Sequence, residues 1–114
     1  RTGVNRSVTL SVDMNGYDGE YSSVNVYGFF NGWCASCNEM TDEDGDGVYT
    51  ATVRATEGEM EYKFTLDGGV ELQEMFEAGT ACTKTTGVYT NRLAQVESDT
   101  EFPVVCFNSC GACE

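Results

Sequence analysis

The segment Gly28-Phe29-Phe30-Asn31-Gly32-Trp33 runs an aromatic strand into an Asn-Gly turn and ends on the chain's sole tryptophan. Sugar rings stack their C–H faces on flat aromatic surfaces, and tryptophan offers the largest of these. The competing use of such a residue is packing between the sheets of a sandwich. Trp33 follows the strand, between Gly32 and Cys34, where burial is the less natural outcome. Tyr27 and Phe29 lie opposite the inward row Val24, Val26, Gly28 and Phe30 and are the next aromatic candidates. In Glu59-Met60-Glu61-Tyr62-Lys63-Phe64-Thr65-Leu66-Asp67-Gly68 the inward row is apolar, which places Glu61, Lys63 and Thr65 outside. A lone outward lysine is ordinarily a solvated charge; beside Trp33 it becomes a donor that orients a sugar hydroxyl.

Asp42-Glu43-Asp44-Gly45-Asp46-Gly47 fits the first half of a calcium loop, with Asp42, Asp44 and Asp46 as oxygen ligands at alternate positions and a glycine for the turn. The bidentate Glu of such a loop belongs at its twelfth position, which is Val53. The alternative is an acidic hairpin turn without metal. Calcium is therefore the one cofactor these residues suggest, and the reading requires none.

The six cysteines, Cys34, Cys37, Cys82, Cys106, Cys110 and Cys113, have three uses. An even count in a short chain points to disulfides. A zinc site on Cys34, Cys37, Cys110 and Cys113 would strand the other two cysteines and has no histidine to help. Trp33-Cys34-Ala35-Ser36-Cys37 has the local look of a redox motif. That chemistry needs a helix N-terminus under its first cysteine, and the chain runs on instead into a glycine-rich acidic turn. The segment reads as a cystine-bearing loop, and all six cysteines are expected to be oxidised. Six cysteines allow about 15 pairings, among which spacing does not choose.

Catalysis is not expected. The chain has no histidine, the commonest general base. It carries neither a nucleophile elbow nor a phosphate-binding glycine loop. With 19 acidic residues against six Lys and Arg, the net charge is −13. That field repels nucleic-acid phosphates and anionic lipid, and disfavours sulfated or uronate-rich glycans. No apolar run approaches the roughly 20 residues of a membrane span. The first residues do not read as a signal peptide, so any targeting segment is expected upstream or already removed.

The elements that must position these residues are strands. Val8, Leu10, Val12 and Met14 alternate with polar neighbours; further strands are expected around Val24–Phe30, Tyr49–Ala55, Met60–Leu66, Val70–Phe76, Val88–Val96 and Phe102–Phe107. Turn residues separate them, and no long stretch keeps a helical period. Pro103, the only proline, suits an edge position in the last strand. About seven short strands in 114 residues indicate an all-β fold, an immunoglobulin-like antiparallel sandwich tied by disulfides. The length suits one domain, residues 1–114, with residues 107–114 a cysteine-rich C-terminal cap.

Together these segments resemble the glycogen- and starch-binding modules of the early-set immunoglobulin type. That family has a G-x-F-N-x-W turn, then Met or Leu, a DG-V-Y/W hairpin, and G-x-Y-E-Y-K-F-x-V-D-G. The matching residues are Gly28 to Trp33, Met40, Asp46-Gly47-Val48-Tyr49 and Gly58 to Gly68, with a weaker echo at Asn91 to Val96. The resemblance implies a sugar site on Trp33, Lys63 and Asn91. It puts the family's second tryptophan at Val70, so one of two stacking platforms is replaced. The cysteine-rich loop and tail look like those of modules appended to secreted bacterial polysaccharide-degrading enzymes. The expected function is non-catalytic polysaccharide binding that targets a covalently attached glycoside hydrolase or lyase, in a secreted protein. The alternative is a disulfide-stabilised structural or adhesion spacer without a sugar site, decided by whether Trp33 is buried with no exposed aromatic nearby.

Overall fold

A computed structural model describes residues 5–69, 71–87 and 89–113. Among the described residues there are eight strands: β1 (Asn5–Asp13), β2 (Val24–Gly28), β3 (Val48–Thr56), β4 (Gly58–Leu66), β5 (Thr83–Thr86), β6 (Tyr89–Val96), β7 (Thr100–Glu101) and β8 (Val105–Cys106). One sheet runs β3-β1-β7, with β8 also on β1; the other runs β2-β4-β6-β5. The fold is the expected immunoglobulin-like β-sandwich, all-β and tied by disulfides. Its second sheet is antiparallel throughout, whereas β7 and β8 pair parallel to β1.

Alternation builds the core. Val8, Leu10 and Val12 from the first sheet, with Met14 just past the end of β1, meet Val24, Val26, Met60, Tyr62, Phe64, Leu66 and Val96 from the second, all buried. Register is held by this pattern, since a slip of one residue in β4 would put Glu61 and Lys63 into the core. Gly28 ends β2 where a Cβ would meet the Glu61 carbonyl oxygen at 2.3 Å, so only glycine lets the backbones approach there.

The strand boundaries depart from expectation in three places. β2 stops at Gly28, and Phe29–Asn31 form a 3-10 turn. Residues 71–76 form no strand. They run into a split between β4 and β6, whose pairing extends no further than Tyr62 with Arg92. There the Phe64 N–H donates to Glu74 Oε1 at 3.1 Å and the Glu74 N–H donates to the Phe64 carbonyl at 3.0 Å, so the segment replaces the missing ladder. Of the expected last strand, Phe102–Phe107, only β8 forms; the short β7 precedes it, and Pro103, which has no N–H to donate, lies between the two. β5 escaped the sequence reading because Thr-Lys-Thr-Thr carries no apolar alternation.

The cysteines pair as Cys34–Cys37, Cys82–Cys110 and Cys106–Cys113. The zinc set is thereby divided among three disulfides. Phe107 packs in the core, and its N–H donates to the Asp13 carbonyl at 3.2 Å, which ties the tail to β1. Mass spectrometry of the non-reduced domain should show a mass lower than the reduced chain by one hydrogen per cysteine; any alkylatable thiol would contradict this pairing.

Candidate functional site

The outer face of the second sheet carries a cleft of about 750 Å³ lined by Tyr27, Phe29, Trp33, Glu61, Lys63, Gln73, Met75, Phe76, Tyr89, Thr90 and Asn91. All five residues singled out from sequence, Trp33, Lys63, Asn91, Tyr27 and Phe29, are brought together here. Strand register explains the convergence: Tyr27 on β2 lies directly opposite Lys63 on β4, and Asn91 projects from β6 on the same outer face. The cleft's volume lies within the roughly 300–1,000 Å³ typical of small-molecule and cofactor sites.

Trp33 is placed by its turn. Gly32 and Trp33 both have left-handed backbone, φ 67° and 63°, and a bulky residue adopts that conformation only when its surroundings impose it. Asn31 imposes it. Its Oδ1 accepts from the N–H groups of Gly28 and Cys34 at 3.1 and 3.2 Å, and its Nδ2 donates to the Cys34 carbonyl and to Asn38 Oδ1 at 3.1 and 2.8 Å. The Trp33 N–H donates to the Gly28 carbonyl, and the Cys34–Cys37 disulfide closes the loop just beyond. The half-buried indole meets Tyr27 and Phe29 edge-on, at 5.3 and 5.9 Å between ring centroids. Phe29 itself is 53% exposed.

The sequence places Lys63, Glu61 and Tyr27 correctly on the outer face but wrongly predicts that they are exposed. Lys63 and Glu61 are each 7% exposed and Tyr27 is 4%. The Trp33 loop and residues 71–76 cover that face, so an outward phase ends in a cleft floor. Burial holds the Lys63 ammonium below its ordinary pKa, with the negative charge of Glu74 acting in the opposite direction. Burial likewise raises the Tyr27 hydroxyl, and Glu74 adds to that shift. The Tyr27 hydroxyl donates to Gln73 Oε1, which also accepts from Lys63 Nζ at 3.5 Å. Asn91 Nδ2 donates to Glu61 Oε1 at 3.1 Å. The floor is therefore a set of oriented donors and acceptors beneath an aromatic wall.

Residues 6–78, well over half of the chain, match the family described as carbohydrate-binding module 48, the isoamylase N-terminal domain. The chain belongs to the carbohydrate-binding module 48 family. The match takes in Trp33, Lys63, Tyr27 and Phe29; Asn91 lies beyond it. No curated protein matches the chain. Family membership makes this a carbohydrate-binding module, in a family of binding rather than catalytic domains.

Sequence reasoning missed part of the module's cleft. Tyr89, 68% exposed, projects from β6 two residues before Asn91 and therefore on the same face, a signal that alternation carried. Gln73 and Met75 gave no such signal, because their segment forms no strand. Val70, where the resemblance puts a second platform, lies outside the described residues.

The acidic turn lies apart from the residues lining the cleft. Asp42, Asp44 and Asp46 bring one carboxylate oxygen each within 4.8 Å of the others. Asp42 accepts from the N–H groups of Gly47 and Asp46 at 2.8 and 3.1 Å, and Asp46 accepts from Val48 N–H at 3.0 Å. The Gly47 N–H is the main cause holding the Asp42 carboxyl below the usual range, while hydrogen bonding and repulsion from Asp46 push Asp44 up.

Proposed function

We propose that this module binds a neutral polysaccharide chain along the cleft between Trp33 and Tyr89, and so holds a covalently attached glycoside hydrolase or lyase at its substrate in a secreted protein. The observation carrying this reading is that the aromatic residues and polar side chains singled out from sequence line one cleft on a carbohydrate-binding fold. Trp33 supplies the stacking surface, Lys63 and Asn91 address hydroxyls, and Tyr89 stands where a second aromatic contact can form. The Glu61 carboxylate in the floor and the net charge of −13 favour neutral over anionic sugars. Tethering raises the local concentration of substrate around a linked enzyme, so modest affinity suffices. Paired cysteines suit an oxidising compartment. Exposed Phe29 and Tyr89 beside a half-buried Trp33 count against a spacer with no sugar site.

Affinity electrophoresis through gels containing neutral or acidic polysaccharides tests the proposal. Retardation is expected with neutral chains and not with sulfated or uronate-rich ones. Free migration in every gel would leave the disulfide-tied spacer as the better account.

Calcium is not needed on this reading, because Asp42 and Asp46 already accept N–H groups of their own turn. The domain should melt at the same temperature in chelator and in added calcium. A Tm that climbs with calcium concentration would instead assign an ion to Asp42, Asp44 and Asp46, since a ligand specific to the folded state stabilises it.

A further inference from the structure

The family match ends at residue 78, yet the far wall of the cleft is fastened by residues well beyond it. Gln73 and Met75, which line that wall, flank the buried Glu74. The Met75 N–H donates to Asn108 Oδ1 at 2.9 Å, and the Asn108 N–H donates to Glu74 Oε2 at 2.7 Å. Asn108 holds left-handed backbone, φ 66°, which turns its N–H and side chain onto this one segment. Arg92, bonded to both Glu74 oxygens, also donates to the carbonyls of Cys106 and Ser109 at 3.2 and 2.8 Å. The tail that supplies these groups is tied at two points, to Cys82 through Cys110 and on itself through Cys106–Cys113.

We infer that the cystine-bound tail, residues 106–113, is a positioning element of the sugar cleft, in which Asn108 fixes the wall that carries Gln73 and Met75. The wall segment has no strand pairing of its own, so its position is set by Glu74 in the sheet split and by Asn108 from outside. Gln73 in turn orients Tyr27 and Lys63 in the floor. A loosened tail therefore changes the cleft without touching any residue that stacks on sugar. This inference rests on the cleft being the sugar site.

Three variants test it. Asn108→Gly keeps the left-handed backbone and removes the side-chain acceptor, while Asn108→Asp retains an acceptor oxygen at the same place. The paired substitution Cys82→Ala with Cys110→Ala releases the tail without creating a free thiol. Binding to soluble glycogen is measured by affinity electrophoresis well below Tm, with amide hydrogen exchange on the same samples. Asn108→Gly should weaken glycogen binding roughly fivefold, the equivalent of about one hydrogen bond, and speed exchange at residues 73–76; Asn108→Asp should restore both. The disulfide variant should act in the same direction as Asn108→Gly. A lower Tm with unchanged glycogen binding and unchanged exchange would make the tail a stability staple only and overturn the inference. If the parent domain bound neither glycogen nor any other polysaccharide, the proposed function would fail. The exchange comparison alone would then decide whether the tail holds the wall.

Discussion

Replacing Glu74 with Gln should destabilise the domain by about 3–5 kcal/mol, the cost of leaving a buried charge without its partner. Arg92 is 2% exposed and Glu74 is 0%. The guanidinium lies over the rings of Phe64 and Phe76, 5.1 and 5.0 Å from their centroids. The Glu74 carboxylate accepts from Arg92 Nε, Arg92 Nη2 and the N–H groups of Phe64 and Asn108. An apolar pair in place of a buried ion pair is often harmless elsewhere. Here Glu74→Met with Arg92→Leu should also destabilise, because it strands two backbone donors and the carbonyls of Cys106 and Ser109. Denaturant unfolding checks both variants: the midpoint should fall sharply at an unchanged slope. A midpoint within error of the parent for Glu74→Gln would show that the pair does not hold the sheet split.

Trp33→Ala should weaken polysaccharide binding about tenfold or more, since losing one stacked ring commonly costs on the order of 1–3 kcal/mol. The fold should survive, because Trp33 stands at the end of a turn held by Asn31 and the Cys34–Cys37 disulfide rather than in the core. Lys63 needs a gentler change. Its stem is buried, so Lys63→Met preserves packing while removing the ammonium, and it should weaken binding less than Trp33→Ala does. Isothermal titration with a polysaccharide retained in the electrophoresis gels would rank the two. Equal binding by Trp33→Ala and the parent would move the platform to Phe29 or Tyr89.

The sequence alone determined the longer strands and named five of the residues that line the cleft. Strict alternation in β1 and β4 assigned Val8 to Met14 and Met60 to Leu66 to the core, because a pleated strand has only two faces and one of them must be apolar. The Asn-Gly turn placed Trp33 beyond the strand, and the family motif joined it to Lys63 and Asn91. Tertiary structure decided what covers the outer face. Nothing local to Lys63 or Glu61 tells that a loop and residues 71–76 will enclose them, since burial there comes from chain more distant in sequence. Nor does spacing pair the cysteines or reveal that Glu74 and Arg92 will meet, eighteen residues apart, where two strands separate. Alternation is a property of one strand; a sheet split, a cleft wall and a disulfide exist only once separate segments share space.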